Sequence, residues 1–106
     1  MIKFVVLLYK KPGMSTDAFI THLKNIHGPL ALRLPRLRRY RQNLVVEDGK
    51  RQRPPWDALV ELFFDNRADF EAAWETPEGK ASDADLPLFL DLDRTSWSVV
   101  EEMNLM

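Results

Sequence analysis

The sequence predicts an α+β domain ordered strand, helix, strand, strand, helix, strand, with an antiparallel sheet. Three observations carry this. The first strand, Ile2 to Tyr9, is apolar on both faces. Apolar residues recur at helical spacing in two segments, Phe19-Leu23-Ile26-Leu30 and Phe70-Ala73-Trp74. Two further runs, residues 38–46 and 56–64, follow one another with only a polar loop between them.

Taken in chain order, residues 2–9 alternate Ile2, Phe4, Val6, Leu8 against Val5, Leu7, Tyr9, which places the strand at the centre of the sheet. Lys11-Pro12-Gly13 breaks the chain. Ser15 is placed to cap the first helix, with Asp17 in its first turn. Gly28-Pro29 is expected to interrupt that helix, Gly28 ending one segment and Pro29 starting a short second one that runs to about Leu34. Residues 38–46 carry Arg39 and Arg41 on one face, as an edge strand does. Asp48-Gly49 and Pro54-Pro55 mark the loop before the strand at 56–64. Asp65 or Asn66 caps the next helix, Thr76-Pro77 ends it, and residues 78–85 form a further helical turn. Residues 87–91 read as irregular, and the last strand as 94–102 with Trp97, Val99 and Val100. The order is the split β-α-β pattern of ferredoxin-like domains, with strands side by side as 4-1-3-2.

Composition bounds the function classes. The 106 residues amount to one domain, spanning 1–106. Cysteine is absent, which excludes disulfides, a thiol nucleophile and a Cys-based zinc site. No apolar run reaches the ~18 residues of a membrane span, and the N-terminal run is too short for a signal sequence, so a soluble, cytoplasmic protein is expected. The net charge of −1 is uneven: residues 33–53 hold eight Lys/Arg against two acids. That balance argues against general nucleic-acid binding, and no RNA-binding signature accompanies Arg33, Arg36, Arg38, Arg39 and Arg41. Gly-rich phosphate loops, nucleophile elbows and zincin motifs are missing. No metal site is expected, because Asp83/Asp85 and Asp91/Asp93 lack a ligand loop and read as solvated charge.

Helices cover one face of such a sheet. With apolar residues on both sides of the first and third strands, the other face is expected to pack on a second copy about a two-fold axis. The basic segment 33–41 of one chain against the acidic segment 83–93 of the other would add to that contact; solvated charge at two edges is the competing reading.

The segments MIKFVVLLYKKPGMSTDAF, HGPLALRLPRLRRYRQN and WDALVELFFDN together resemble the EthD-like family of dimeric α/β barrel proteins, over nearly the whole chain. The His-Gly-Pro-Leu step followed by Leu-Pro-x-Leu-x-x-Tyr is the most specific part. The resemblance implies a homodimer with facing sheets and, in each subunit, a pocket between sheet and helices. Relatives of this kind include proteins near ether-degrading oxygenase systems, lactone isomerases, and small cyclases, decarboxylases and dehydratases that act on aromatic or polyketide compounds. In isomerase-type members a His and a Tyr at the positions of His27 and Tyr40 belong to the active site. Those members also use cysteines, which this chain lacks.

The residues that could carry chemistry follow. His27, with an ordinary pKa near ~6.5, can move a proton at neutral pH; alternatively it answers free carbonyls at a helix end. The Tyr40 phenol can donate to a carbonyl or a developing oxyanion, or merely pack an edge strand. His22 precedes His27 by five residues, ~500° of α-helix, so the two rings are expected about 140° apart. That excludes a two-His metal site and puts His22 on the rim, with pocket lining as the alternative. Tyr9, Phe63, Trp74 and Phe89 are candidates for an apolar pocket wall, weighed against plain core packing. Three functions compete. One is a cofactor-independent enzyme acting on a small aromatic, lactone or polyketide-like compound. The second is a noncatalytic small-ligand or accessory protein of an oxygenase system, and the third a haem-binding barrel with His27 as axial ligand.

Overall fold

The computed structural model describes residues 1–106. Strand β1 (Ile2–Leu8) leads into α1 (Thr16–His22), a π-helical turn at Leu23–His27, and α2 (Gly28–Ala31). Strands β2 (Arg39–Leu44) and β3 (Ala58–Phe64) follow, then α3 (Arg67–Ala73), α4 (Pro77–Asp85), a 3₁₀ turn at Leu86–Leu88, and β4 (Ser96–Glu101). The sheet order is β2-β3-β1-β4, and all three pairings are antiparallel. This is the ferredoxin-like arrangement the element order predicts, with β1 central and β2 and β4 at the edges. No helix is long and apolar enough to cross a membrane.

Register explains which side chains meet. Phe4 pairs with Leu62 and Val99, and Val6 with Val60 and Trp97, so these residues share the face under the helices. Tyr40 lies opposite Leu62 and joins them from the edge strand. Ala58, Phe64, Phe19, Leu23, Phe70 and Phe89 complete the core beneath. The reverse face is less apolar than the sequence suggests. There Lys3 pairs with Glu61 at 2.9 Å and Glu102 at 3.1 Å, and Lys3 and Arg41 both lie over the Phe63 ring. Val5, Leu7 and Leu59 surround this charged centre and are half-buried.

The local signals at helix ends hold. The Ser15 hydroxyl accepts from Ala18 N, and Asn66 accepts from Asp69 N at 2.8 Å. Thr76 both closes the turn after α3, donating to Ala73 O, and caps α4 by accepting from Gly79 N. Arg36 and Arg38 pair within the chain, with Asp69 and Asp65.

One expectation is corrected. Gly28-Pro29 does not break the first helix: backbone angles stay right-handed helical through His27 and Gly28. Pro29 lacks an N–H and its ring crowds the carbonyl four residues back, so the preceding turn widens instead of ending. Gly28 N–H accordingly bonds to Leu23 O, five residues back, as in a π-bulge.

Candidate active site: a histidine–aspartate–histidine cluster at an aromatic cavity

Between the sheet and the helices lies a cavity of about 420 Å³. Its floor is the helix-facing set Phe4, Val6, Leu8, Val60 and Leu62, and its walls include Ala31, Phe70, Trp74, Leu86 and Trp97. The aromatic end is held by mutual packing. Phe4 stacks on Trp97 at 6.0 Å with 19° between the ring planes, tilts against Phe70 at 5.0 Å, and meets the Trp74 edge at 5.9 Å. The polar lining is confined to His27, Tyr40, Ser82 and Asp83.

His27 is 8% exposed and sits on the π turn. Its Nδ1 is 2.9 Å from Asp85 Oδ2, and its Nε2 has no protein partner. Asp85, the last residue of α4, is 6% exposed. Its carboxylate also meets His22 Nε2, at 2.9 Å and 3.0 Å to the two oxygens. A carboxylate is only an acceptor, so each imidazole presents an N–H to it. That fixes His27 as the Nδ1–H tautomer and leaves the Nε2 lone pair as its free acceptor. Phe89, fully buried, backs both imidazoles, with ring centroids 4.5 Å from His22 and 5.1 Å from His27. Burial lowers the His27 pKa below its ordinary 6.5, against the opposing pull of Asp85. The ring is therefore neutral at pH 7.

Tyr40 reaches the same cavity from β2. Its hydroxyl accepts from Gln42 Nε2 at 2.9 Å, and the same amide donates to Leu23 O, a carbonyl of the π turn, at 2.9 Å. The phenol's own proton meets no acceptor in the protein and stays available to a ligand. Burial raises the Tyr40 pKa above 10.0, with the Gln42 bond pulling the other way, so the group is a neutral donor across the physiological range. Gly28 makes room for this link: a Cβ there would lie 3.0 Å from Gln42 Nε2 and 3.2 Å from Leu23 O.

The structure thus brings His27, Tyr40 and Trp74 to one cavity. The other four candidates stand outside its wall. Phe63 follows Leu62 in β3 and so points to the reverse face, and Tyr9 lies just past the end of β1 and outside the cavity lining. Arg94 lies over the Tyr9 ring at 4.4 Å. Phe89 is core behind the histidines, and His22 is turned to Asp85. The expected 140° separation of His22 and His27 is overturned, because it assumed α-helical geometry. The π turn bonds residues five apart, which brings the two rings to one carboxylate. The reading of Asp85 as solvated charge is overturned by its burial and its two imidazole partners. Sequence reasoning also missed Phe4, Phe70 and Trp97 as cavity lining, although their places in the strand and helix patterns were legible. The one available signal for the cluster was Pro29 directly after His27-Gly28, since an intrahelical proline is a known cause of a widened turn.

Fold and cavity together define a ferredoxin-like α+β protein with an aromatic chamber between sheet and helices that carries four polar residues in its lining. The chain belongs to the EthD family: the EthD domain model matches residues 11–93. An uncharacterised 11.0 kDa protein of the thcB–thcC intergenic region of Rhodococcus erythropolis is 30% identical over 86 residues, covering 80% of this chain and 81% of the relative. The crystal structure of an ethyl tert-butyl ether d (EthD) family protein from Bacillus halodurans superposes with a TM-score of 0.83 at 29% identity, over 97% of this chain and 99% of the other. A dimeric ferredoxin-like protein from Bacteroides fragilis superposes at 0.69 with 17% identity, over 95% of each chain, a likeness of fold.

Proposed function

We propose that the chain is a cofactor-independent enzyme, of isomerase, cyclase or dehydratase type rather than a decarboxylase, that moves a proton on a small aromatic, lactone or polyketide-like compound. The observation that carries this is the presence of two unlike free groups in the lining of one apolar chamber: a His27 Nε2 lone pair and a Tyr40 O–H. In this reading His27 Nε2 takes a proton from a carbon next to a carbonyl. The C–H electron pair moves toward the carbonyl oxygen, and Tyr40 donates its hydrogen bond to that oxygen as charge develops. His27 then returns the proton at carbon or oxygen, so no oxidant is needed. Asp85 positions the imidazole and stabilises it once charged.

A second copy packing on the reverse sheet face is part of the proposal. It is supported by the dimeric ferredoxin-like neighbour and by half-buried Val5, Leu7 and Leu59 on that face. The 106-residue chain would act as one cytoplasmic domain of such a dimer, in a catabolic or oxygenase-linked setting.

The test is exchange of the α-protons of 2-acetylnaphthalene in D2O, followed by NMR. Wild type is expected to accelerate exchange, His27→Ala to lose about 10²–10⁴-fold, and Tyr40→Phe to lose less. Binding of the probe without exchange would favour a noncatalytic ligand carrier, and exchange unchanged in His27→Ala would remove His27 from the mechanism.

A further inference from the structure

The cavity's charge is one-sided. No Lys or Arg lines it. Several basic residues are held elsewhere: Arg36 on Asp69, Arg38 on Asp65, Lys3 and Arg41 over Phe63 on the reverse face, and Arg94 over Tyr9. The ionisable groups that do face the chamber are His27, Tyr40 and Asp83. Asp83 lines the chamber from its solvent side, two residues before Asp85 on α4. Behind His27 lies the buried Asp85 carboxylate. A ligand therefore enters past one carboxylate and approaches a second, and its only strong donors are neutral hydroxyls.

We propose that this chamber selects uncharged, planar aromatic ligands and rejects aromatic carboxylates, with Asp83 as the residue at its mouth that sets the rule. This deepens the proposed function by naming its substrate class. A buried carboxylate on the ligand would lose its water and meet no Lys or Arg; its one route to a cation is to protonate His27, whose burial disfavours the charged form. Repulsion from Asp83 adds to that loss, weakened by solvent screening at the mouth. Size fits the same class. A dry apolar cavity of about 150 Å³ holds benzene, so the 420 Å³ here has room for two or three rings. The stacked Phe4 and Trp97 and the edge of Trp74 offer ring surfaces to a flat ligand. A monocarboxylate, such as a ring-opened acid, has no place to put its charge.

The experiment compares two probes matched in shape, 2-acetylnaphthalene and 2-naphthoate, by isothermal titration calorimetry on wild type and on Asp83→Asn at pH 7.5. The neutral ketone is expected to bind at least about tenfold more tightly to wild type, given the loss on burying an unpaired charge. In Asp83→Asn the naphthoate is expected to gain about threefold or more while the ketone changes little. Naphthoate binding as tightly as the ketone would overturn the selection rule, and a gap unchanged in Asp83→Asn would overturn the role of Asp83. Those results leave the proton-transfer reading standing. Tight, selective binding of the ketone with no proton exchange would do the reverse, sinking the enzyme reading and leaving the selection rule intact. Failure of both probes to bind would remove the chamber as a ligand site, and this proposal with it.

Discussion

Asp85→Asn is the sharpest probe of how the site is built. The change is nearly isosteric and buried, so shape is kept while the hydrogen-bond logic changes. The carboxylate accepts from His27 Nδ1 at 2.9 Å and from His22 Nε2 at 2.9 Å. An amide has one acceptor oxygen and one NH2 donor. Whichever imidazole meets the NH2 must present a lone pair instead of an N–H. If that ring is His27, it becomes the Nε2–H tautomer and loses its basic atom toward the cavity. The general-base contribution, about 10²–10⁴-fold, would then vanish, which is about 2.7–5.4 kcal/mol at 1.36 kcal/mol per decade. Stability should move less. One charge-assisted hydrogen bond, worth about 1.5–3 kcal/mol, is lost, and the lower cost of burying an amide offsets part of it. At roughly 4–8 °C per kcal/mol for a domain near this size, Tm should fall by less than about 15 °C. The assays are probe-proton exchange and ¹⁵N-resolved imidazole NMR, which reads the tautomer directly. Wild type should show His27 protonated at Nδ1. An Asp85→Asn protein whose His27 has switched to the Nε2–H form, yet which exchanges within about threefold of wild type, would refute the positioning argument.

Three further outcomes follow from the same geometry. Because burial holds the His27 pKa below 6.5, activity should rise with pH along a limb centred below 6.5 and stay flat at neutrality; Tyr40, raised above 10.0, should add a decline only above 10.0. The sign for stability matches: the folded state binds fewer protons at His27 than the unfolded chain, so this contribution is complete above 6.5 and is lost as pH falls through the lower folded value, visible as a urea midpoint that drops in acid. Gly28→Ala should fold, since Ala favours a helix by about 0.5–1 kcal/mol, yet its Cβ would press on Gln42 Nε2. Exchange should fall about tenfold, the worth of one hydrogen bond, and the Tyr40 phenol should titrate at still higher pH in an absorbance titration; unchanged values for both would separate Gln42 from the site. Gly79→Ala should be far more harmful, because its Cβ would overlap Ala73 O and lie 2.7 Å from Trp74 Cα, both backbone atoms. A loss of about 3 kcal/mol or more is expected in urea unfolding, and a loss under about 1 kcal/mol would show that the α3–α4 corner gives way easily.

Element order, strand arrangement and most helix ends follow from local residue patterns alone. Those features are written in local chemistry. A short continuous apolar run marks β1, Ser15 and Asn66 bring oxygens to free N–H groups, and Pro77 starts what it cannot continue. Of the site, His27, Tyr40 and Trp74 were legible, and the helix-facing set of β1 already contained the cavity floor. Tertiary structure decided the rest. Whether an aromatic lines a cavity or fills a core depends on what stands opposite, which is why Phe89 and Phe63 left the list and Phe4 and Trp97 joined it. The histidine cluster needed two further facts. A proline widened one turn of helix by a residue, and a helix some 60 positions later ended with its aspartate between the two rings. No local pattern fixes the distance between a π turn and the end of α4; only the packing of both helices onto the same sheet does.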